Sequence, residues 1–247
     1  MAEVGNSSKA EVAGMIEDEL KVDIGRIPVF VGATGHRVIP PKDATILRSV
    51  VKEQLCSITK LYPDTPLVLI TALAEGADRL VAGCALELGW KILAVLPLAK
   101  EDYEVDFETQ QSVAEFRDLV ARATCVKLID PRYHVRPTCY EYLGYWIGQH
   151  AQLLLALWDG LPARGPGGTA HVVSVFREGV ASGLLQLREG GPVIHIQTRR
   201  IPDSTSVDNP ALGAVQILAP MPRGATLADL ELLGQAWIED QLDDFCG

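Results

Sequence analysis

The chain has 247 residues, 48% of them hydrophobic, with a formal net charge of −10 and five cysteines. That is enough apolar material for one sizeable α/β core. No apolar run reaches the ~18–20 residues of a membrane span, and Met1-Ala2-Glu3-Val4 lacks the basic-then-apolar opening of a secretory signal. These features set the expectation of a cytoplasmic protein without a membrane span. The acid excess sets a second expectation, that the chain is not a general nucleic-acid binder, which needs a basic face to release counterions.

Residues 1–26 are polar and read as an appendage. From Ile27 onward, short apolar runs alternate with stretches of helical period. The first run is Pro28–Val31, followed by a glycine loop and a helix over Lys42–Leu61. Leu67–Ile70 is the second strand and Gly76–Leu88 the next helix. Lys91–Leu96 forms a third strand, ended by Pro97. An acidic loop, Ala99–Asp106, then leads to a helix over Phe107–Arg122. Cys125–Ile129 is the fourth strand, Tyr140–Gln149 a helix, and Gln152–Trp158 the fifth strand. A helix over Thr169–Gly179 and a sixth strand, Pro192–Ile196, close the core. Residues 198–224 read as a linker and 225–247 as an acidic amphipathic helix carrying Leu227, Leu230, Leu233 and Trp237. Unbroken apolar strands suit a sheet covered on both faces. The pattern therefore predicts a Rossmann-like, doubly wound, mainly parallel sheet of about six or seven strands, its ligand at the strand carboxyl ends.

Three loops follow strands and carry polar chemistry. The first is Gly32-Ala33-Thr34-Gly35-His36-Arg37. Its glycines let an anion approach the backbone, Thr34 adds a hydroxyl, and His36 and Arg37 can meet negative charge. The spacing is not that of the dinucleotide fingerprint. The second runs from Thr71 and Ala72 to Glu75, Gly76, Asp78 and Arg79. Glu75 and Asp78 either complement the helix dipole or serve a ligand: Glu75 on ribose hydroxyls, Asp78 on loop geometry or Arg37. Arg79 is either a phosphate ligand or a surface charge. The third holds Asp159, then Gly165-Pro166-Gly167-Gly168-Thr169 at a helix start, a nest of N–H groups suited to phosphate.

The segments GATGHR, TALAEGADRLVA and LWDG…GPGGT together resemble the SLOG proteins. These are Rossmann-like domains related to the DNA-processing protein Smf/DprA and to the LOG phosphoribohydrolases. Related domains occur in melastatin-type TRP channels and in bacterial nucleotide-signalling and anti-phage systems. The resemblance spans residues 27–197. It implies a parallel sheet and a nucleotide-type ligand, such as ADP-ribose or a cyclic nucleotide. The chain is read as a sensing module for that ligand with a fused or associated effector, and a homo-oligomer is expected because such assemblies are common. LOG enzymes carry a glutamate where this chain has Val172, and an aliphatic side chain is neither acid nor base. The reading therefore leans away from an enzyme. The alternative is a nucleoside-monophosphate phosphoribohydrolase or related N-glycosidase, with Glu75 as its catalytic group. No metal site or further cofactor is expected.

Overall fold

In the computed structural model the described residues are 26–129, 135–162, 168–182, 185–188, 190–199 and 211–220. Seven strands form one sheet: β1 (Val29–Gly35), β2 (Leu67–Thr71), β3 (Lys91–Leu96), β4 (Cys125–Leu128), β5 (Leu153–Trp158), β8 (Val193–Gln197) and β9 (Val215–Leu218). Their spatial order is β4-β3-β2-β1-β5-β8-β9. All neighbours run parallel except β9, which is antiparallel to β8. Two short strands, β6 (Val180–Ser182) and β7 (Leu185–Arg188), pair as a separate antiparallel hairpin.

The alternation of side chains sorts the core into two layers. Leu67, Leu69, Ile92, Ala94, Leu155 and Leu157 point to one face, Val68, Ile70, Leu93, Val95, Leu154 and Ala156 to the other. The first face is covered by helices α1 (Pro41–Leu61), α2 (Ala77–Glu87), α3 (Lys100–Glu104) and α4 (Gln110–Arg122). The second is covered by α5 (Arg136–His150) and α6 (Thr169–Glu178). In α1 the buried residues Leu47, Val51, Leu55 and Ile58 recur every three or four positions, which makes one apolar stripe. A seven-stranded, largely parallel sheet with helices on both faces is the expected Rossmann-like class.

Several local features differ from the sequence pattern, among them the β6–β7 hairpin and the start of α4 at Gln110. The glycine loop after the first apolar run is strand, because β1 continues through Gly35. A Cβ on Gly32 would lie 2.8 Å from Ile147 Cγ2, so that glycine lets α5 close on the sheet. The acidic stretch after β3 contains the short helix α3. α5 starts four residues early because Pro137 sits in its first turn, where the missing N–H costs nothing. Finally, β9 lies within 198–224, read as linker, and extends the sheet past residue 197. The segments 1–25 and 221–247 lie outside the described residues.

The aromatic centre of the first layer is Tyr103, with no exposed surface. Its ring meets Phe107 and Phe116 edge-on, at centroid distances of 5.0 and 5.5 Å. Its hydroxyl makes no hydrogen bond among the described residues. A buried hydroxyl without a partner costs about 1–3 kcal/mol. Tyr103→Phe is therefore expected to keep the core and to hold or raise stability by up to about 1 kcal/mol, read by urea unfolding. A loss of that size would show that the hydroxyl is paired.

Candidate functional site

Strand order reverses between β1 and β5. The chain adds β2, β3 and β4 on one side of β1, then returns to place β5 on the other. Helices leave the two strands toward opposite faces there, opening a crevice beyond their carboxyl ends. His36 is the first residue past β1 and Asp159 the first past β5.

The two residues meet across the crevice. The backbone N–H of Asp159 donates to His36 Nε2 at 3.1 Å, so the ring proton is assigned to Nδ1. The Asp159 carboxylate Oδ1 stands 3.5 Å from the same nitrogen, both side chains being about nine-tenths buried. His36 N donates to the Leu157 carbonyl (3.1 Å), and the His36 carbonyl accepts from Ala77 N (3.0 Å). The β1 exit is thus fastened to β5 and to the start of α2 at once. Asp159 Oδ1 also accepts from Leu161 N at 3.0 Å, and Gln197 Nε2 donates to the Asp159 carbonyl at 3.2 Å. Gln197, at the end of β8, had no motif to flag it.

The β2 exit is more tightly built. Leu73, fully buried, adopts a left-handed φ of +55°, uncommon for a residue with a side chain. Both of its backbone groups are satisfied. Its N–H donates to Thr71 Oγ1 (3.1 Å), and its carbonyl accepts from Arg79 Nε (3.0 Å). The Thr71 hydroxyl in turn donates to Asp78 Oδ2 at 3.2 Å. Ala72 is buried between them. Burial pushes the Asp78 carboxyl up to about 6, against the pull of the Thr71 hydroxyl and of the Arg37 charge. Gly76 brings this loop against the first: a Cβ there would lie 2.3 Å from the Arg37 carbonyl oxygen.

Glu75 and Arg79 are engaged with α4. The Glu75 carboxylate Oε1 accepts from the Ser112 hydroxyl and from Glu108 N at 3.2 Å. Arg79 Nη1 donates to the Ser112 carbonyl (2.8 Å) and hydroxyl (2.7 Å), with its guanidinium 4.5 Å from the Phe107 ring centroid. Arg37 lies over the Tyr140 ring, 5.4 Å from the centroid. The Tyr140 hydroxyl donates to Asp106 Oδ2, and Arg136 Nη1 bonds Asp106 Oδ1 at 2.6 Å. The structure therefore brings Gly35, His36, Gly76, Asp78 and Asp159 to one place, with Thr71 and Ala72 behind them. Thr34 and Gly32 lie within β1 itself.

Of the GPGGT loop, Gly165 and Gly167 lie outside the described residues. Gly168 is the extended N-cap of α6 and Thr169 its first residue, with no side chain capping that helix end. Beside it lies an open groove of about 600 Å³ lined by Trp158, Gly160, Tyr145, His171 and Ser174. Val172 is buried between α6 and α5, its Cγ2 3.0 Å from where a Cβ on Gly144 would stand. That position faces the interior, so no acid there serves a crevice in this chain. Among the described residues, no group of three His, Cys, Asp or Glu side chains is placed to hold a metal ion, and no helix is long and apolar enough to cross a membrane.

No family model matches the chain, and no curated protein matches it. Solved structures do. DNA processing protein A from Streptococcus pneumoniae is 18% identical over 52% of this chain and 41% of its own, with a TM-score of 0.37. DNA processing protein A from Helicobacter pylori, solved for its single-stranded DNA binding mode, is 13% identical over 64% and 68%, with a TM-score of 0.41. TM1055 is 12% identical over 52% and 60%, with a TM-score of 0.31. This chain thus spans less than half of the pneumococcal protein. The expectation that the chain is not a general nucleic-acid binder is contradicted by these neighbours, one of which was solved for its single-stranded DNA binding mode. Net charge sums a whole surface and does not fix the potential of any one part of it. What the strand order establishes is a Rossmann-like α/β fold, and DprA proteins are among the structures that resemble it.

Proposed function

We propose that the chain binds a nucleotide-derived small molecule across the carboxyl ends of β1 and β5, as a sensing module. The observation that carries this reading is the His36–Asp159 pair at the point where strand order reverses. A ribose or base seated in that crevice would lie against His36 and Asp159. The bare N-terminus of α6 at Gly168–Thr169 offers N–H groups and a positive dipole end to phosphate. SLOG-type membership, and a ligand such as ADP-ribose or a cyclic nucleotide, belong to this proposal. So does a role in nucleotide signalling or anti-phage defence.

Isothermal titration with AMP, ADP-ribose and cyclic nucleotides tests the reading. A ligand is expected to bind, and Asp159→Asn to weaken it at least tenfold, about 1.4 kcal/mol. A single-stranded oligonucleotide belongs in the same panel. Saturable binding of the oligonucleotide alone, unaffected by Asp159→Asn, would overturn the small-molecule reading. Release of free base from AMP during the titration would make the chain a hydrolase of the same ligand class.

A further inference from the structure

We infer that the groove between α1, α2 and α4 is a separate site for a phosphate anion. The groove, about 640 Å³, is lined by Thr45 and Arg48 of α1, Arg79 of α2, Ser112 of α4 and the carboxylates of Glu75 and Glu115. His36 and Asp159 do not line it. A second hollow of about 410 Å³ continues along α4 and shares Arg79 and Gln111 with it.

Two independent features point to an anion. The first is the positive end of α4, a helix of 13 residues with no acidic residue in its first turn. Thr109 caps only one amide, accepting from Ser112 N at 3.0 Å. The N–H groups of Gln110 and Gln111 have no acceptor within the helix. The second is Arg79. Its side chain is nine-tenths buried, with 9% of its surface exposed. Nε and Nη1 are committed to Leu73 and Ser112, which fix the fork in place. Nη2 makes no hydrogen bond among the described residues. A buried guanidinium nitrogen without an acceptor is costly and rare, and an oxyanion removes that cost.

The two carboxylates of the lining, Glu75 and Glu115, do not fill this role. Glu75 is spent on the Ser112 hydroxyl and Glu108 N–H. Glu115 approaches Arg79 Nη1 only to 3.6 Å, beyond a hydrogen bond, and is more than half exposed. It can swing into solvent as an anion enters.

The test uses inorganic phosphate against sodium chloride of equal ionic strength, with the whole chain. Phosphate at ten times its Kd is expected to raise the melting midpoint by about 3–5 °C. It is also expected to shift the amide resonances of Gln111 and Ser112. Arg79 variants confound ligand loss with loss of the Leu73 and Ser112 ties, so the diagnostic substitution is Thr45→Glu. Thr45 is exposed and lines the groove. The variant is expected to melt as the parent does in chloride and to lose the phosphate effect. Asp159→Asn is expected to keep that effect, which separates this site from the crevice. Equal stabilisation by chloride, an undiminished phosphate effect in Thr45→Glu, or shifts confined to the start of α6 would each overturn the assignment.

Discussion

Gly76→Ala is expected to cost about 3 kcal/mol or more, one of the two largest effects foreseen for a single substitution here. Gly76 has φ +78° and ψ −115°, a backbone region closed to residues with a Cβ. The new methyl also meets the Arg37 carbonyl carbon at 2.5 Å and the His36 carbonyl oxygen at 2.5 Å. These are backbone atoms fixed by β1 and cannot rotate away. Gly89→Ala supplies the comparison. Gly89 has φ +76° but nothing within 4 Å of its new Cβ, so it carries conformational strain alone, about 1 kcal/mol. Urea unfolding of both variants isolates the collision. Equal losses would mean that the loops after β1 and β2 do not pack as closely as described.

Asp78→Asn is expected to stabilise the chain above pH 6 and to do nothing useful below pH 4. The folded state holds the Asp78 proton up to about 6, while the unfolded carboxyl releases it near 3.8. Between those values the native state binds the extra proton, so stability falls as pH rises, and the loss is complete above 6. Two pH units correspond to about 3 kcal/mol. Asparagine keeps one acceptor oxygen, but its NH2 turns toward one of the donors that the carboxylate accepts from, the Thr71 hydroxyl and the backbone N–H groups of Ala72 and Ala74, and it gives up the charge at the start of α2. Burial outweighs these losses, so a net gain in stability is expected at pH 8. Unfolding curves at pH 4, 5, 6 and 8 should show the parent declining through this window and the variant flat. A variant weaker than its parent at pH 8 would mean that the ionised carboxylate is needed, with Arg37 as its partner.

Much of the fold is legible in the sequence, for a simple reason. Strands such as Leu67–Thr71 and Leu153–Trp158 are buried on both sides, and continuous apolar runs report that directly. β9 is short, antiparallel and at an edge, with two of its four residues exposed, so no such run marks it. The GATG segment misleads in another way. Glycine there serves close packing of Ile147 and Ala77 against a strand, and composition alone does not distinguish that from a loop. Of the candidate site, Asp159 was identifiable as the residue leaving its strand, whereas His36 was legible only as the polar end of the glycine segment, because β1 runs on to Gly35. The roles of Glu75 and Arg79 were not, because Ser112 lies 37 and 33 residues away from them. A pairing of that span leaves no local signal.

The reversal of strand order also has a consequence for folding. His36 and Asp159 are 123 residues apart, and every hydrogen bond across the crevice joins segments of similar separation. The first four strands can assemble on local crossovers, whereas β5 must find β1 across about half the chain. The crevice of the proposed site is therefore complete only once β5 has docked on β1, a step that the topology is expected to place late. A ligand held there stabilises only molecules that have completed that step.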